Sequence, residues 1–241
     1  MEEQEIKIGE AAKMLGVTIQ TLRNWDESGK FRAKKSLGGT RYYLLSDLKL
    51  FNEDLPALAW AWATSVQPPE LPTQYYCERS DRFTSRLEGK MIPVLESAGI
   101  SEDIISVLVQ ATGGIGDNSF AHNGANWPDM PGIFFGYDVN KRTIVLADRG
   151  QGVRATLLRV RPDLATDSEA LRVAFTEIVS GRSPEKRGNG LKVVRRVAEN
   201  GPIGLEYRSG LGMIKIPGPP GPTEFGTTNE NVRGTYAVIT Y

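Results

Sequence analysis

Apolar residues near the amino terminus recur at helical spacing and predict two short helices with a tight turn between them. Apolar side chains in residues 8–15 fall on one side of a first helix, which Gly16 ends. A second helix covers residues 18–28, where the Thr18 hydroxyl can accept hydrogen bonds from the amides of the first turn. The pattern therefore predicts a helix-turn-helix.

The next segment, residues 31–44, predicts two short strands that turn at Gly38–Gly39, a hairpin of the kind called a wing. Residues 20–45 carry six basic side chains against two acidic ones, a net charge of plus four within a chain whose net charge is zero. Basic side chains on a second helix and a wing are placed to meet the phosphates of a duplex. This part of the chain therefore predicts binding to double-stranded DNA.

The segments IGEAAKMLGVTIQTLRNWDESGK and GGTRYYLLSDL resemble the DNA-binding domains of the MerR and excisionase families. The resemblance implies that the second helix enters the major groove and that the wing touches phosphate. The residues assigned to DNA contacts are Thr18, Gln20, Thr21, Arg23, Lys34, Lys35, Arg41 and Tyr42. Trp25 is interpreted as a core residue. A homodimer on symmetric DNA is expected, and a small helical domain that contacts protein is the alternative.

Three prolines in the segment VQPPELPT predict an extended linker, because proline fixes φ and removes an amide donor. We therefore expect a winged helix-turn-helix domain at residues 1–52, a linker at 53–74 and a larger domain at 75–241. Within the linker, Trp60 and Trp62 indicate either a dimer contact or a patch docked on the second domain.

The segment TIVLADRGQGV combines a buried strand with an acidic residue and two glycines. Asp148 at the strand end can accept a hydrogen bond from an adenine amino group. Gly150 and Gly152 allow the backbone to approach a base closely. By itself this motif is weak, because strand-turn sequences produce it often.

A second glycine pair, Gly188 and Gly190, precedes the amphipathic helix LKVVRRVAE. Amides at a helix amino terminus suit phosphate oxygens, and Lys186 and Arg187 lie just before them. The segment SEDIISVLVQATGGIGDNSFAHN predicts a helix that carries Asn118 after three glycines.

Strand patterns complete the second domain. We expect hairpins at Asn140–Lys141 and at Ser209–Gly210, a long loop at residues 216–231, and a final strand, TYAVITY, that begins with Thr235.

In chain order, the motifs are the Asn118 helix, the strand with Asp148 and its glycines, the Gly188–Gly190 pair before a helix, a hairpin and the final strand. This order resembles the GHKL ATPase superfamily, which includes gyrase, MutL, a heat-shock chaperone, histidine kinases and anti-sigma-factor kinases. The resemblance implies an α/β sandwich with a mixed, mostly antiparallel sheet, so that the whole chain is of the α+β class. It also implies ATP or ADP bound with Mg²⁺ under a mobile lid. By resemblance, Asn118 holds Mg²⁺, Asp148 binds adenine beside Gly150 and Gly152, and Thr235 lies near the adenine.

The same resemblance assigns Gly188 and Gly190 to the lid at the phosphates, with Lys186 and Arg187 beside them. It also reveals a departure, because members that hydrolyse ATP carry a glutamate where this chain has Gly114. Asp117 could replace that glutamate only if the helix unwinds locally, which the glycines permit. We therefore expect nucleotide binding with slow or absent hydrolysis, and the catalytic residue stays unknown.

Composition excludes other classes. One cysteine and one histidine exclude a disulfide framework and argue against a zinc site made of protein ligands. The acidic amino terminus is not a signal peptide and no run could span a bilayer, so we expect a cytoplasmic protein.

The favoured hypothesis is a transcriptional regulator in which ATP or ADP binding to the second domain controls DNA binding. The first alternative is an anti-sigma-like serine/threonine kinase or partner-binding module. The second alternative is an ATP-dependent mobile-element or phage-defence protein that binds DNA.

Overall fold

The structure is a computed structural model of the 241-residue chain. It describes residues 4–15, 17–28, 31–36, 38–52, 54–124, 127–177, 190–218 and 221–241. These residues form two compact units. The first comprises residues 1–54 with 138–141, and the second comprises residues 55–137 with 142–241.

The first unit combines helices with a small antiparallel sheet. Its helices are α1 (Ile8–Met14), α2 (Ile19–Ser28) and α3 (Leu45–Asn52). Its strands are β1 (Glu5–Lys7), β2 (Lys34–Lys35) and β3 (Arg41–Leu44), in the order β1-β3-β2. The predicted helix-turn-helix and wing are therefore present, and the turn at Gly39 has a φ of 78°. Strand β1 was not predicted, because three residues are too few to show an alternating pattern.

Aromatic packing holds the first unit together. Phe31 and Tyr43 are buried and stack with ring centroids 4.9 Å apart. The Tyr43 hydroxyl donates to the Leu22 carbonyl at 3.4 Å, which ties β3 to α2. The Trp25 ring packs 5.1 Å from that of Phe51 at the edge of the same core. The interpretation of Trp25 as a core residue is confirmed.

The second unit is built on an antiparallel sheet. Its strands are β4 (Tyr76–Cys77), β5 (Ile133–Asp138), β6 (Thr143–Asp148), β7 (Gly204–Ile216) and β8 (Glu224–Thr240). Their order is β4-β5-β6-β8-β7. The pairings of β4 with β5, β6 with β8 and β7 with β8 are all antiparallel, so these registers show no parallel element of the expected mixed sheet. The predicted turn at Asn140–Lys141 is confirmed, and both amides donate to the Asp138 carboxylate.

Strand β7 reverses direction within its length. Thirteen extended residues would separate its ends by about 40 Å. Instead, a Cβ on Gly204 would lie 3.5 Å from the carbonyl oxygen of Ile216. The reversal falls at Gly210, which has a φ of 61° and marks a shift in the register with β8. The hairpin predicted at Ser209–Gly210 is therefore present inside β7.

The expected long loop at 216–231 is wrong for its second half. Strand β8 begins at Glu224, which pairs with Lys215, and Thr227 pairs with Gly212. The polar residues of this edge segment carry no apolar alternation, so their pairing could not be recognised from the sequence.

Helices cover both faces of the sheet. They are α4 (Leu55–Thr64), α5 (Ser80–Arg86), a π-helical turn (Leu87–Met91), α6 (Ile92–Ser97), α7 (Glu102–Asn123), α8 (Val153–Leu157), α9 (Asp167–Thr176) and α10 (Gly190–Asn200). Successive strand residues point to opposite faces, so in β8 Thr235 and Tyr236 face different helices. The Tyr236 ring lies 5.1 Å from that of Trp60 on α4. Among the described residues, none of the helices has the length and apolar content needed to cross a bilayer.

The segment expected to be a linker, residues 53–74, contains α4. Trp62 of this helix is 1% exposed. The Arg149 guanidinium donates to the carbonyls of Trp62 and Ser65 at the carboxyl end of α4. The second unit therefore begins at Leu55 and not at residue 75, because the alanine- and tryptophan-rich helix is apolar enough to pack on the sheet.

The three glycines before Asn118 lie inside α7, which runs unbroken for 22 residues. A Cβ on Gly114 would lie 2.8 Å from Val194 of α10, and one on Gly116 would lie 2.3 Å from the Phe83 ring of α5. The local unwinding that the sequence permits does not occur. The glycines let neighbouring helices approach α7 closely.

We expect Gly116→Ala to destabilise the second unit by about 1–3 kcal/mol, because its Cβ would overlap the buried Phe83 ring. Urea unfolding measures the change. Gly113→Ala is the matched control: its Cβ would lie 3.6 Å from Leu87, an ordinary contact. Alanine there gains up to about 1 kcal/mol of helix propensity. Equal stability of the two variants would contradict this account of the packing.

Candidate functional site

A cleft in the second unit lies between the sheet and helices α7, α8, α9 and α10. Polar and apolar side chains both line it, as is typical of small-molecule sites. Five residues that the sequence assigns to nucleotide binding line it, namely Asn118, Asp148, Gly152, Gly190 and Thr235. These five residues are far apart in the sequence, and the fold brings them together in one cleft.

Asp148 is the buried acid of this cleft, with 1% of its surface exposed. The register of β6 with β8 places it directly opposite Thr235. Its carboxylate accepts hydrogen bonds from the Thr235 hydroxyl, from the Ser119 hydroxyl at 2.8 Å and from the Gly150 amide at 2.8 Å. Donors from β8, α7 and the turn after β6 therefore hold one carboxylate in a fixed orientation.

Burial dominates the ionisation of Asp148. Desolvation raises the pKa of its carboxyl above the usual aspartate value, while the hydrogen bonds from Thr235, Ser119 and Gly150 oppose that rise. A buried carboxylate is costly unless donors surround it. A ligand that brings a further N–H donor would therefore be favoured at this point of the cleft.

Glycines surround Asp148 because side chains would not fit. A Cβ on Gly234 would lie 2.2 Å from the Asp148 carboxylate, and one on Gly150 would lie 2.1 Å from the Asn123 amide. Gly152 has a φ of 79°, a conformation that favours glycine, and it precedes α8. The glycines predicted beside the acid thus shape the turn after β6.

Asn118 lies at the other end of the cleft, beside the start of α10. A Cβ on Gly190 would lie 2.6 Å from the Asn118 side-chain nitrogen. That nitrogen is buried and has no hydrogen-bond partner among the described residues. Asp117 is exposed and is not part of the cleft lining, so the geometry does not favour it as a catalytic acid.

The described residues contain no cluster of three or more His, Cys, Asp or Glu side chains that could hold a metal ion. A Mg²⁺ at Asn118 would therefore depend on ligand phosphates and water, which is how this ion is commonly bound. Lys186, Arg187 and Gly188, which the sequence assigns to the phosphates, lie outside the described residues.

Sequence reasoning missed four polar residues of the cleft: Ser119, Asn123, Thr156 and Tyr207. Asn123 accepts from the Gln151 amide at 2.9 Å and donates to the Ser119 carbonyl at 2.8 Å. Ser119 and Asn123 lie one and five residues after Asn118 on α7, so helical spacing was the available signal. Tyr207 is buried in a strand and had no such signal.

The first unit exposes one side of α2. Gln20 and Arg23 are exposed, as is Asn24, which was not assigned from the sequence. The Gln20 amide donates to the Asn24 amide oxygen at 2.9 Å. Thr18 caps the start of α2, because its hydroxyl accepts a hydrogen bond from the Thr21 amide at 3.0 Å. Gln20, Arg23 and Asn24 therefore form the outward surface of this helix.

The wing residues assigned to DNA contacts differ in exposure. Lys34 and Lys35 are exposed, whereas Tyr42 is half-buried beside them in the sheet. Arg41 is engaged within the protein, because its Nε donates to the Asp26 carboxylate at 2.6 Å. The Lys35 ammonium also lies 3.9 Å from the Asp26 carboxylate, although its side chain is 56% exposed. Lys34 and Arg32 are exposed as well, so the wing keeps basic side chains on its surface.

Residues 7–43 match the model of the MerR family regulatory proteins and form a MerR-family domain. The match lies within the first unit and includes α1, α2 and most of the wing. The chain matches no curated protein and no solved structure. A MerR-family domain indicates a DNA-binding regulator.

Asp26 joins α2 to the wing of the MerR-family domain. It accepts from the Arg41 guanidinium and, at 3.0 Å, from the Ala33 amide. Burial acts to raise the pKa of Asp26, but the Arg41 and Ala33 hydrogen bonds and the charge of Lys35 hold it below its usual value. The ionised carboxylate therefore stabilises the placement of the wing on α2.

We expect Asp26→Asn to destabilise the MerR-family domain by about 1–3 kcal/mol at neutral pH, because a charged hydrogen-bond network is lost. The folded pKa is lowered, so this stabilisation is present above the unfolded value of about 3.9 and is lost as the pH falls through the folded pKa. Urea unfolding, followed by the NMR signals of this domain, measures the change in stability.

Glu27→Gln, at a side chain 70% exposed, is the control and should change stability little. A constant difference between Asp26→Asn and the unaltered protein down to pH values well below 3.9 would contradict the assignment.

Proposed function

We propose that the protein is a DNA-binding regulator whose second unit binds ATP or ADP with Mg²⁺ and controls DNA binding, with slow or absent hydrolysis. A homodimer on two DNA half-sites is part of this proposal, because a single small domain binds DNA weakly. The observation that carries it is the buried Asp148 carboxylate, which donors from three elements orient in a cleft lined by five residues that the sequence assigns to nucleotide binding.

The adenine end of the proposed ligand suits the inner part of the cleft. Leu157, Ala174 and Leu191 supply apolar walls for a planar base. The adenine amino group is an N–H donor for Asp148, whose burial makes an added donor favourable. Both features, an apolar slot and one fixed acceptor, are typical of small-molecule sites.

The phosphate end suits Asn118 and the amino terminus of α10. The first amides of a helix have no partner within the helix and favour anions. Asn118 would hold Mg²⁺ together with phosphate oxygens, and the bound ion would neutralise their charge. The unpartnered Asn118 amide nitrogen is a polar group for which a ligand would provide a partner.

Slow hydrolysis follows from the helix packing at Gly114. Any larger residue there would meet Val194, so the acid found at this position in hydrolysing relatives of the superfamily would not fit. Among the described cleft residues, Asp148 is the acidic one, and it lies at the adenine end. None of the described cleft residues beside Asn118 is therefore an acid that could activate water.

Coupling between nucleotide and DNA binding would pass through hydrogen bonds and then along the peptide chain. Arg149 directly follows Asp148, is 2% exposed and donates to the carbonyls of Trp62 and Ser65 at the end of α4. Helix α4 begins three residues after α3 of the first unit ends. For a switch, ATP must bind two conformations with different affinity, since equal affinity shifts nothing.

We expect Asp148→Asn to abolish ATP binding, because the amide presents a donor where the adenine amino group needs an acceptor. Calorimetry with ATP and Mg²⁺ measures binding, and gel-shift titration of genomic fragments with and without ATP measures its effect on DNA. The unaltered protein should change its DNA affinity with ATP, and Asp148→Asn should not.

Asp117→Asn is the matched control, because it removes an exposed acid that does not line the cleft. Asn118→Ala separates the two ends of the site: it should weaken ATP binding with Mg²⁺ more than without it. Full ATP affinity in Asp148→Asn, with circular dichroism showing a native fold, would disprove the adenine assignment.

Steady-state phosphate release tests hydrolysis. We expect turnover below about 1 per second, the lower end of typical enzyme rates, because none of the described cleft residues beside Asn118 is acidic. Asp117→Asn should leave the residual rate unchanged. A rate above that limit which Asp117→Asn removes would show that Asp117 acts as the base.

A further inference from the structure

The connection from α4 to β4 contains three prolines in the segment VQPPELP, residues 66–72. Proline fixes φ at about −65°, and the residue before a proline is restricted to extended conformations. Of residues 67–72, only Glu70 is neither a proline nor followed by one. The prolines therefore favour a polyproline II helix, which has three residues per turn. We name residues 66–72 the proline segment.

Buried arginines fix the two ends of the proline segment. The Arg149 guanidinium donates to the Ser65 carbonyl at 3.0 Å, and the Arg86 guanidinium donates to the Thr73 carbonyl at 2.9 Å. Between these ends, residues 66–71 form no backbone hydrogen bond with the described part of the chain, as is typical of a polyproline II helix. A partner would therefore bind a segment that is already held in place, which lowers the entropic cost of association.

Exposure along the proline segment repeats every three residues. Pro68 and Leu71 are partly buried, and each is followed by two exposed residues. Residues three apart lie on the same side of a polyproline II helix, so Pro68 and Leu71 form an inner side, whereas Pro69 and Pro72 form an outer, apolar side. Val66, three residues before Pro69, is 92% exposed although it is apolar. The segment therefore presents an apolar surface to solvent, which we name the Pro69–Pro72 ridge.

An exposed carboxylate lies within this ridge. Glu70 stands between the two prolines in the sequence and forms no ion pair with the described residues. Grooves that recognise a polyproline II helix are lined by aromatic side chains, against which proline rings pack. A partner that covers the Pro69–Pro72 ridge would lie close to the Glu70 carboxylate, where a cation would be favoured by charge complementarity.

The aromatic groove must come from another protein. None of the aromatic side chains among the described residues of this chain is exposed, so the described surface of a second copy offers no such groove. We infer that the proline segment docks a different protein, through a domain whose groove is lined by aromatic side chains and carries a cation for Glu70. This interaction is separate from nucleotide and DNA binding and places a protein partner on the second unit.

Surface plasmon resonance of the full chain over a panel of purified SH3, WW and EVH1 domains tests the inference, because these domains carry aromatic-lined grooves for polyproline II helices. At least one domain should bind the unaltered protein. Pro69→Ala and Pro72→Ala should each weaken that binding by about 5- to 30-fold, the loss expected when an anchor residue of an interface is truncated. Glu70→Gln should weaken binding at low salt and reduce its salt dependence.

Pro68→Ala is the matched control, because this proline lies on the inner side of the segment. The substitution removes the same restriction on φ but no ring of the ridge. It should therefore weaken binding by only about 2- to 5-fold. Thermal unfolding checks that each variant folds.

No binding of the unaltered protein to any domain of the panel, or an equal loss in Pro68→Ala and Pro72→Ala, would overturn the inference. Sedimentation velocity tests whether a second copy occupies the ridge instead. A lower oligomeric state in Pro69→Ala or Pro72→Ala would show that the ridge joins two copies of this chain, which would also overturn the inference. An unchanged oligomeric state, together with the larger loss of binding at Pro69 and Pro72, would support docking of a different protein.

Discussion

The buried carboxylate of Asp148 is the constraint around which the second unit is arranged. It cannot be buried without donors, and the donors come from α7, β8 and the turn after β6. Their convergence sets how α7 lies over the sheet and requires glycine at residue 234, where a Cβ would overlap the carboxylate. The same arrangement leaves an oriented acceptor at the floor of the cleft. The group that supports the fold is therefore the same group that the proposed function assigns to ligand recognition.

Close helix packing around α7 limits the size of the side chains that this part of the cleft can contain. Gly114 faces Val194 of α10, and Gly116 faces Phe83 of α5. These contacts draw α10 toward Asn118, so that Gly190 touches the asparagine side chain. A Cβ at residue 114 would already lie 2.8 Å from Val194, so a longer side chain there would require the helices to move apart. This packing is the reason that the proposed nucleotide site is expected to hydrolyse slowly or not at all.

In the first unit, structural and recognition roles fall on different residues of one helix. Asp26 faces the wing and binds Arg41, so both serve to fix the wing on α2. Gln20 and Asn24 face outward and bind each other. The basic wing residue Arg41 is therefore an internal partner of Asp26, whereas the uncharged Asn24 lies on the exposed side of α2.

Elements whose signals are local could be predicted from the sequence. Helical spacing and the Thr18 cap identified the helix-turn-helix, and glycines next to an acid identified the turn after β6. Contacts between residues far apart in the chain could be identified only from the tertiary structure. The pairing of Asp148 with Ser119 and Thr235, the docking of α4 on the sheet and the close packing at Gly114 involve residues far apart in the chain. Their energies arise only when the elements meet, because local patterns report which face of an element is buried and not what buries it.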